Sequence, residues 1–542
     1  MRSCVSCICP QRNYQAFYSK PERHTMTANL AQSVAEHAAR NPHHIAISTV
    51  SRDWTYLEVA TAASAIAQTV LASKRSGRVG ILASRSAAAC LGILGVAWSG
   101  TTYVPLSLKL PEERLLQLLQ TLDLDALVVD QRGAALLSRQ VLNFAPSLII
   151  LSDDAACIAG TSKHSIVRVS LIGHTGPVEP LPVSDTAIAY IEFTSGTTGT
   201  PKGVMVPIAA VNNYLDVMQE WFALTPDDRA AETCDITFDL SVHNMFLTWR
   251  AGASLHIMTP MQMLAPARFI RDRKITSWLS VPSIIALMRK AKALEPGALP
   301  SLRLSFFCGE PLPLRAAQSW AEAAPNSIVE NIYGPTEATI ACLRQPIKSP
   351  VIVTPNRDVV AIGKPYPGMQ AAIVDHNGQV LPAGTPGEIA LSGIQLACGY
   401  FQQPELTESR FPTIDGRRWY LTGDMGVEDE YGVFHHLGRL DNQIKILGNR
   451  VELEEVEMHL RAVSGSDDVA AIAWPISHGS ADGLVTFVVG AQSTAENIRA
   501  MMKTKVAAYM VPNEVYITDA LPLNGNGKVD RNALSRMLAR DS

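Results

Sequence analysis

From Met26 onward the apolar positions alternate between a helical period and short strand-like runs. Leu30, Val34 and Ala38 share one face at helical spacing, and Asn41-Pro42 ends that helix. His43, Ile45 and Ile47 lead into strand-like text. Uninterrupted apolar runs follow at Arg78–Ala83, Ala126–Val129 and Leu148–Leu151, with helical stretches such as Pro111–Leu122 between them. Strand and helix in alternation predict an α/β fold with mostly parallel sheet, and the expected class is a large N-terminal domain of mixed or parallel sheets with a small mobile C-terminal α+β domain. Ser86 to Leu108 carries no charge and is long enough by count to cross a bilayer. Ser99, Gly100, Thr101, Thr102 and Pro105 break it, so it predicts a buried helix followed by a buried strand.

The text changes at Gly363–Gly399, which is rich in Gly and Pro and holds period-two segments such as Gly387–Leu391. That predicts a β-rich subdomain. After Leu437–Asp441 comes a helical pattern, Val451–Val463, with Leu453, Val456, Leu460 and Val463 on one face. Glu452, Glu454, Glu455 and Glu457 crowd its first turn, where the helix dipole favours acids. The expected organisation is a leader over 1–25, a large body over 26–437, a hinge over 438–441, and a small α+β lid over 442–542.

Composition narrows the function classes. Hydrophobic residues are 47% and charged residues 18%, which leaves ample material for a core. A net charge of −4 argues against a general nucleic-acid binder. Nine scattered cysteines make no disulfide framework and fit a reducing cytoplasm. Cys4, Cys7 and Cys9 cluster in the leader, but no suitably spaced fourth ligand follows to complete a metal site.

The strongest chemical signal is Phe193-Thr-Ser-Gly-Thr-Thr-Gly-Thr-Pro-Lys-Gly203, directly after the apolar run Ala187–Ile191. Glycines and threonine hydroxyls at this density present N–H and O–H donors to an anion, and Lys202 adds charge. The ordinary P-loop ends in Gly-Lys-Ser/Thr, whereas Pro201-Lys202-Gly203 stands here.

This loop resembles the phosphate loop of adenylate-forming enzymes, the group of acyl-CoA synthetases, luciferases and nonribosomal peptide adenylation domains. Further motifs of that group stand in order: Tyr103–Leu106 before the loop, and after it Phe238–Ser241, Asn331–Glu337, Gly387-Glu388 with Gly399-Tyr400, Tyr420–Asp424, Gly438–Asp441 and Asn524–Arg531. The resemblance runs from about Leu30 to Leu538. It implies ATP and Mg²⁺ as cofactors. Thr194, Ser195, Gly196, Thr197, Thr198, Gly199 and Lys202 would hold phosphates, and Tyr333 would face the adenine. Asp424 would bind the ribose hydroxyls, with Gly334, Thr336 and Arg439 completing the ATP contacts. Lys528, Thr194 and Glu337 would be catalytic, Glu337 as the metal ligand and Lys528 bridging the substrate carboxylate and α-phosphate. Asp441 matches the hinge about which the lid turns between two half-reactions.

Asp239 matches the carboxylate that pairs with an amino acid's α-ammonium in amino-acid-activating members, a charge costly to leave unpaired. By the same resemblance Leu240, His243, Ser280, Phe306, Cys308, Ile332, Ile340 and Ala341 would complete the substrate pocket. Phe306 and Ile332 are bulky and Asp239 is the one acid, which implies a small uncharged side chain. Phe238–Val242, Val281–Ser283, Phe307–Glu310 and Tyr333–Ala338 look most like D-alanine–carrier protein ligases, with Cys308 at the position that crowds the α-carbon. Phe306, Ile332 and His243 depart from that subfamily, so glycine, serine and either alanine enantiomer stay open. The sequence ends soon after Arg531. The expectation is therefore a free-standing ligase that loads a separate phosphopantetheinylated carrier protein, with no nucleic acid or membrane partner. An acyl-CoA ligase and a non-catalytic binding protein of this fold are the rival readings.

Overall fold

The computed structural model describes residues 26–73, 75–156, 158, 162–169, 177–194, 201–440, 443–446, 449–477, 480–523 and 529–541. The leader with its three cysteines, the loop residues Ser195, Gly196, Thr197, Thr198 and Gly199, the hinge residue Asp441 and Lys528 lie outside them.

Two mixed sheets form the body. In the first, Ile188–Thr194, Thr102–Pro105, Arg78–Leu82, Ala126–Val129, Leu148–Leu151 and Ser165–Arg168 run parallel. Lys202–Pro207 and Gly399–Tyr400 finish one edge antiparallel. The second has a parallel centre of Ile45–Ser48, Ser254–Ile257, Arg229–Glu232, Ser277–Ser280, Leu304–Phe307 and Ile328–Tyr333. Antiparallel strands close both of its edges. The expected mixed and parallel sheets are thus present as two, and an apolar run carries no mark of which sheet it joins.

The uncharged stretch resolves into the helix Ala87–Trp98 and the strand Thr102–Pro105. The helix is buried continuously from Ala89 to Trp98, as its all-round apolar surface demands. A Cβ on Gly95 would come 2.6 Å from Ile66 Cγ2, and one on Gly92 would come 2.7 Å from Val128 Cγ1. Hydrogen at these two positions lets the helix lie against both the helix Tyr56–Ser73 and the first sheet. No helix among the described residues is long and apolar enough to cross a membrane.

The Gly/Pro-rich region forms an antiparallel sheet of Met369–Val374, Gly387–Gly393, Tyr420–Glu428 and Phe434–Arg439. The next strand, Gln443–Ile446, starts a different sheet by pairing with Asn449–Glu452 as a hairpin. The helices Leu453–Ser464 and Ala495–Lys505 and the strands Val469–Ala473, Leu484–Val489 and Glu514–Thr518 follow. This lid has its own core around Val456, Leu460, Leu484 and Ile498.

The acids at the start of the helix Leu453–Ser464 have more than its dipole to hold them: Glu452, Glu455 and Glu457 are buried. Each has a cation: Lys202 Nζ at 3.2 Å from Glu452, Arg114 on Glu455, and Arg531 at 2.6 Å from Glu457. A buried carboxylate needs such a partner far more than it needs a helix dipole. The first two pairs, with Lys505–Glu113 at 2.8 Å, tie the lid to the body.

Candidate active site

A cleft of about 1370 Å³ opens where the parallel strands of both sheets end. Ala83, Pro105, Thr194, Cys308 and Tyr333 all line it from the carboxyl ends of strands or just beyond, where open α/β sheets place ligands.

At one end Tyr333 Oη donates to Asp424 Oδ2 at 2.5 Å. Arg439 Nη1 donates to Asp424 Oδ1 at 2.8 Å, and His436 Nε2 lies 3.3 Å from the same oxygen. Burial opposes ionisation of Asp424, but the His436 hydrogen bond and the Arg439 charge outweigh it and hold the carboxyl well below its usual range. Asp424 is therefore a fixed anion in the cleft, able to accept hydrogen bonds from a diol. Gly334 and Thr336 line the same wall.

The phosphate end is marked by Thr194, whose buried hydroxyl has no hydrogen-bond partner among the described residues. An orphaned donor at the mouth of the glycine-rich loop suits an anionic ligand. Lys202 differs from expectation. It sits opposite Thr194 on the neighbouring strand and does not line the cleft; its amine pairs with Glu452 of the lid. Burial lowers the Lys202 pKa.

At the other end lie Asp239, Leu240, Ser280, Cys308, Ile332 and Ile340. Burial pushes the Asp239 pKa up to about 6, against hydrogen bonds from the Ile340 N–H and the Thr336 side chain. Ile340 N–H donates to Asp239 Oδ2 at 3.1 Å from a left-handed backbone, φ 67°, directly after Thr339 at φ 56°. β-Branched residues rarely take this conformation. Gln395 holds the turn: its Nε2 donates to Ala341 O at 2.9 Å and Thr339 O at 3.2 Å, while Thr339 Oγ1 donates to Gln395 O at 2.7 Å. Burial pushes the Cys308 thiol up to about 12, which makes it a packing group and not a nucleophile.

Three expected pocket residues do not line the cleft: His243, Phe306 and Ala341. Phe306 lies two residues before Cys308 on the same sheet face, and His243 one helical turn beyond Asp239. Each is therefore one layer deeper than a residue that does line it.

Glu337 also lies behind the wall. Arg450 Nη1 donates to both its carboxylate oxygens at 3.1 Å, and Tyr400 Oη donates to Oε1 at 2.9 Å. Burial opposes its ionisation, but Arg450 wins and lowers the pKa. An ionised carboxylate has the right chemistry for Mg²⁺, so Glu337 fits a metal ligand once Arg450 withdraws. Among the described residues no cluster of three or more His, Cys, Asp or Glu forms a metal cage.

The motifs did not single out the lid's hairpin. Gln443, Ile444, Lys445, Asn449 and Arg450 all face the cleft. Lys445 is half-buried there within electrostatic reach of Cys308 and Asp424, and loss of solvent lowers its pKa. Glu192 was also missed. It lines the cleft with its carboxyl raised well above the usual range by burial and by the charges of Asp239, Glu337 and Asp235. A lone carboxylate in the otherwise apolar strand Ile188–Thr194 was the available signal.

Comparison with known proteins agrees with this geometry. The AMP-binding enzyme family profile matches residues 34–401, and the AMP-binding enzyme C-terminal domain profile matches residues 455–528. The chain belongs to the AMP-binding enzyme family and is an AMP-forming ligase of the adenylate-forming superfamily. It is 33% identical over 518 residues to phosphinothricin tripeptide synthetase PhsC of Streptomyces viridochromogenes, covering 93% of this chain and 44% of that protein. It is 33% identical over 531 residues to tyrocidine synthase 3 of Brevibacillus parabrevis, covering 95% of this chain and 8% of that protein. The chain thus spans less than half of each. The crystal structure of the Vibrio cholerae adenylation domain AlmE in complex with glycyl-adenosine-5'-phosphate superimposes with a TM-score of 0.85 at 32% identity, covering 96% of this chain and 100% of that one.

Proposed function

We propose that this ligase activates a small neutral amino acid, of glycine to alanine size, as its adenylate and then transfers it to the phosphopantetheine thiol of a carrier protein. The buried Asp239 carboxyl facing the cleft carries this reading, because it pairs with an α-ammonium and has no such use with a fatty or aryl acid. The glycyl-adenylate in the similar Vibrio cholerae domain supports a small side chain. D-Alanine stands among the candidates through Cys308, whose side chain narrows the cleft near Asp239.

In the first half-reaction a substrate carboxylate oxygen attacks the α-phosphorus of ATP, the bond to the β-phosphate oxygen breaks, and pyrophosphate leaves. The chain contributes position and charge. Asp239 fixes the ammonium, Asp424 the ribose, and Tyr333 the base; Thr194 and the loop after it receive the phosphates. Glu337 would hold Mg²⁺, which supplies neutralisation of phosphate charge. Lys528 would bridge the carboxylate and α-phosphate. In the second half-reaction the thiol sulfur attacks the acyl carbon and AMP leaves.

The lid orientation fits the second half-reaction. Its hairpin lines the cleft through Gln443, Lys445, Asn449 and Arg450. Rotation about Asp441 would exchange the hairpin for Lys528. The test is pyrophosphate exchange across all L- and D-amino acids plus glycine. Exchange with glycine or alanine is expected, and exchange only with a fatty or aryl acid overturns the reading. Lys528→Ala should abolish exchange and spare transfer from preformed adenylate to a carrier.

A further inference from the structure

The residues behind the amino-acid end of the cleft form a continuous aromatic plug. Tyr214 Oη and His243 Nδ1 share a 2.7 Å hydrogen bond. The His243 ring meets Phe306 edge to face at 5.2 Å, and Phe306 meets Phe222 at 4.8 Å. Tyr214 stacks on Tyr366 at 6.2 Å, and Tyr366 meets Trp221 at 5.0 Å. All but Trp221 are buried.

We propose that Tyr214 is a positioning residue that sets the depth of the amino-acid cavity by holding His243 against Phe306. The proposal rests on the reading of this cleft as an amino-acid site.

Two backbone routes lead from the cleft wall into the depth behind it. Along the strand Leu304–Phe307, Phe306 is one pleat below Cys308, about 7 Å deeper on the same sheet face. Along the helical segment that starts at Leu240, His243 is one turn beyond Asp239. Both routes end in the plug, so a substrate side chain that passes Cys308 meets the His243–Phe306 pair. The turn His243–Leu247 is π-helical, a local widening that often accompanies functional sites.

His243 cannot stand there alone. Burial pushes its pKa down to about 3, so the ring is a neutral polar group in an aromatic setting. Such a group is costly unless hydrogen-bonded. Among the described residues Tyr214 is its one side-chain hydrogen-bond partner. Tyr214 is held in turn by Tyr366. The helix Ile208–Phe222 supplies both Tyr214 and, eight residues on, Phe222 behind Phe306. One helix therefore backs both halves of the plug.

Removing the Tyr214 hydroxyl leaves Nδ1 unpartnered and the imidazole free to turn from Phe306. The depth it vacates accepts further methylenes. Each methylene that an apolar pocket accepts or refuses is worth about 10–200-fold in specificity.

The test is the kcat/KM ratio for valine or leucine over alanine, measured by pyrophosphate exchange on the full chain, Tyr214→Phe and His243→Ala. Thermal denaturation checks folding. Both variants should raise the ratio by about tenfold or more, with the KM for ATP within about twofold of the parent. Equal loss for every amino acid marks a merely structural role and overturns the proposal. A shift in His243→Ala without one in Tyr214→Phe also overturns it, because the hydrogen bond is then not what holds the plug. A parent that already prefers leucine refutes the plug but leaves amino-acid activation standing. No exchange with any amino acid removes both.

Discussion

Arg450 of the lid grips both carboxylate oxygens of Glu337 in the body, each at 3.1 Å. The carboxylate proposed to hold a metal is thus neutralised by an internal cation while the hairpin is in place. Breaking a buried ion pair from one side costs about 3–5 kcal/mol. Arg450→Ala should therefore slow transfer from preformed adenylate to carrier by about 10²-fold or more. Pyrophosphate exchange, which would use the other lid orientation if the proposed rotation holds, should fall far less. Equal loss in single-turnover assays of the two steps would refute this role.

Asp239 carries a pH prediction. Burial pushes its pKa up to about 6. Only the ionised form pairs with an ammonium, so binding is fully expressed above that pH and weakens below it. The KM for the amino acid should rise about tenfold per unit once pH falls below 6, while the KM for ATP follows a different profile. Asp239→Asn should raise the amino-acid KM by about 10²-fold or more and flatten its pH dependence.

Glu192 makes a stability prediction. Its folded pKa lies well above that of an unfolded glutamate. Its contribution is complete below about pH 4.3, the unfolded value, and is lost as pH rises toward the folded value. Glu192→Gln should match the parent Tm in mild acid and exceed it increasingly toward alkaline pH. Parallel Tm curves would show that the carboxyl is solvated.

Gln395 is expected to act on amino-acid binding from outside the cleft. It ties down the left-handed turn that aims the Ile340 N–H at Asp239. Gln395→Leu leaves buried carbonyls unpartnered and should cost about 1–3 kcal/mol of stability. The KM for the amino acid should rise while the KM for ATP holds. The opposite split would detach the turn from the substrate site.

Some parts of this site could be read before folding because they depend on local order. The run Phe193–Gly203 announces an anion loop by composition alone, and Asp239, Cys308, Tyr333 and Asp424 are reached through short motifs. Depth was not legible in this way. His243 and Phe306 were expected to line the pocket, yet they pack on each other and on Tyr214 and Phe222 and do not line the cleft. The acids after Val451 read as helix-dipole partners because their cations, Lys202 and Arg114, are hundreds of residues away in sequence. Arg450 and Lys445 escaped notice for a related reason: charged residues on a hairpin look solvated until something covers them. Mixed and parallel sheets were legible from the alternation of strand and helix, but which runs share a sheet was not, because pairing is decided between distant runs.

The ion pairs between lid and body have a further consequence. Lys202 and Arg114 belong to the body, and their partners Glu452 and Glu455 to the lid. Any departure of the lid withdraws two acids from these cations and two cations, Arg450 and Lys505, from Glu337 and Glu113. The withdrawn charges balance overall, yet they do not balance at each place. Lys202 loses its carboxylate opposite Thr194, where the glycine-rich run begins. On the proposed reading, Glu452 and the phosphates of ATP would be rival counter-ions for that one amine.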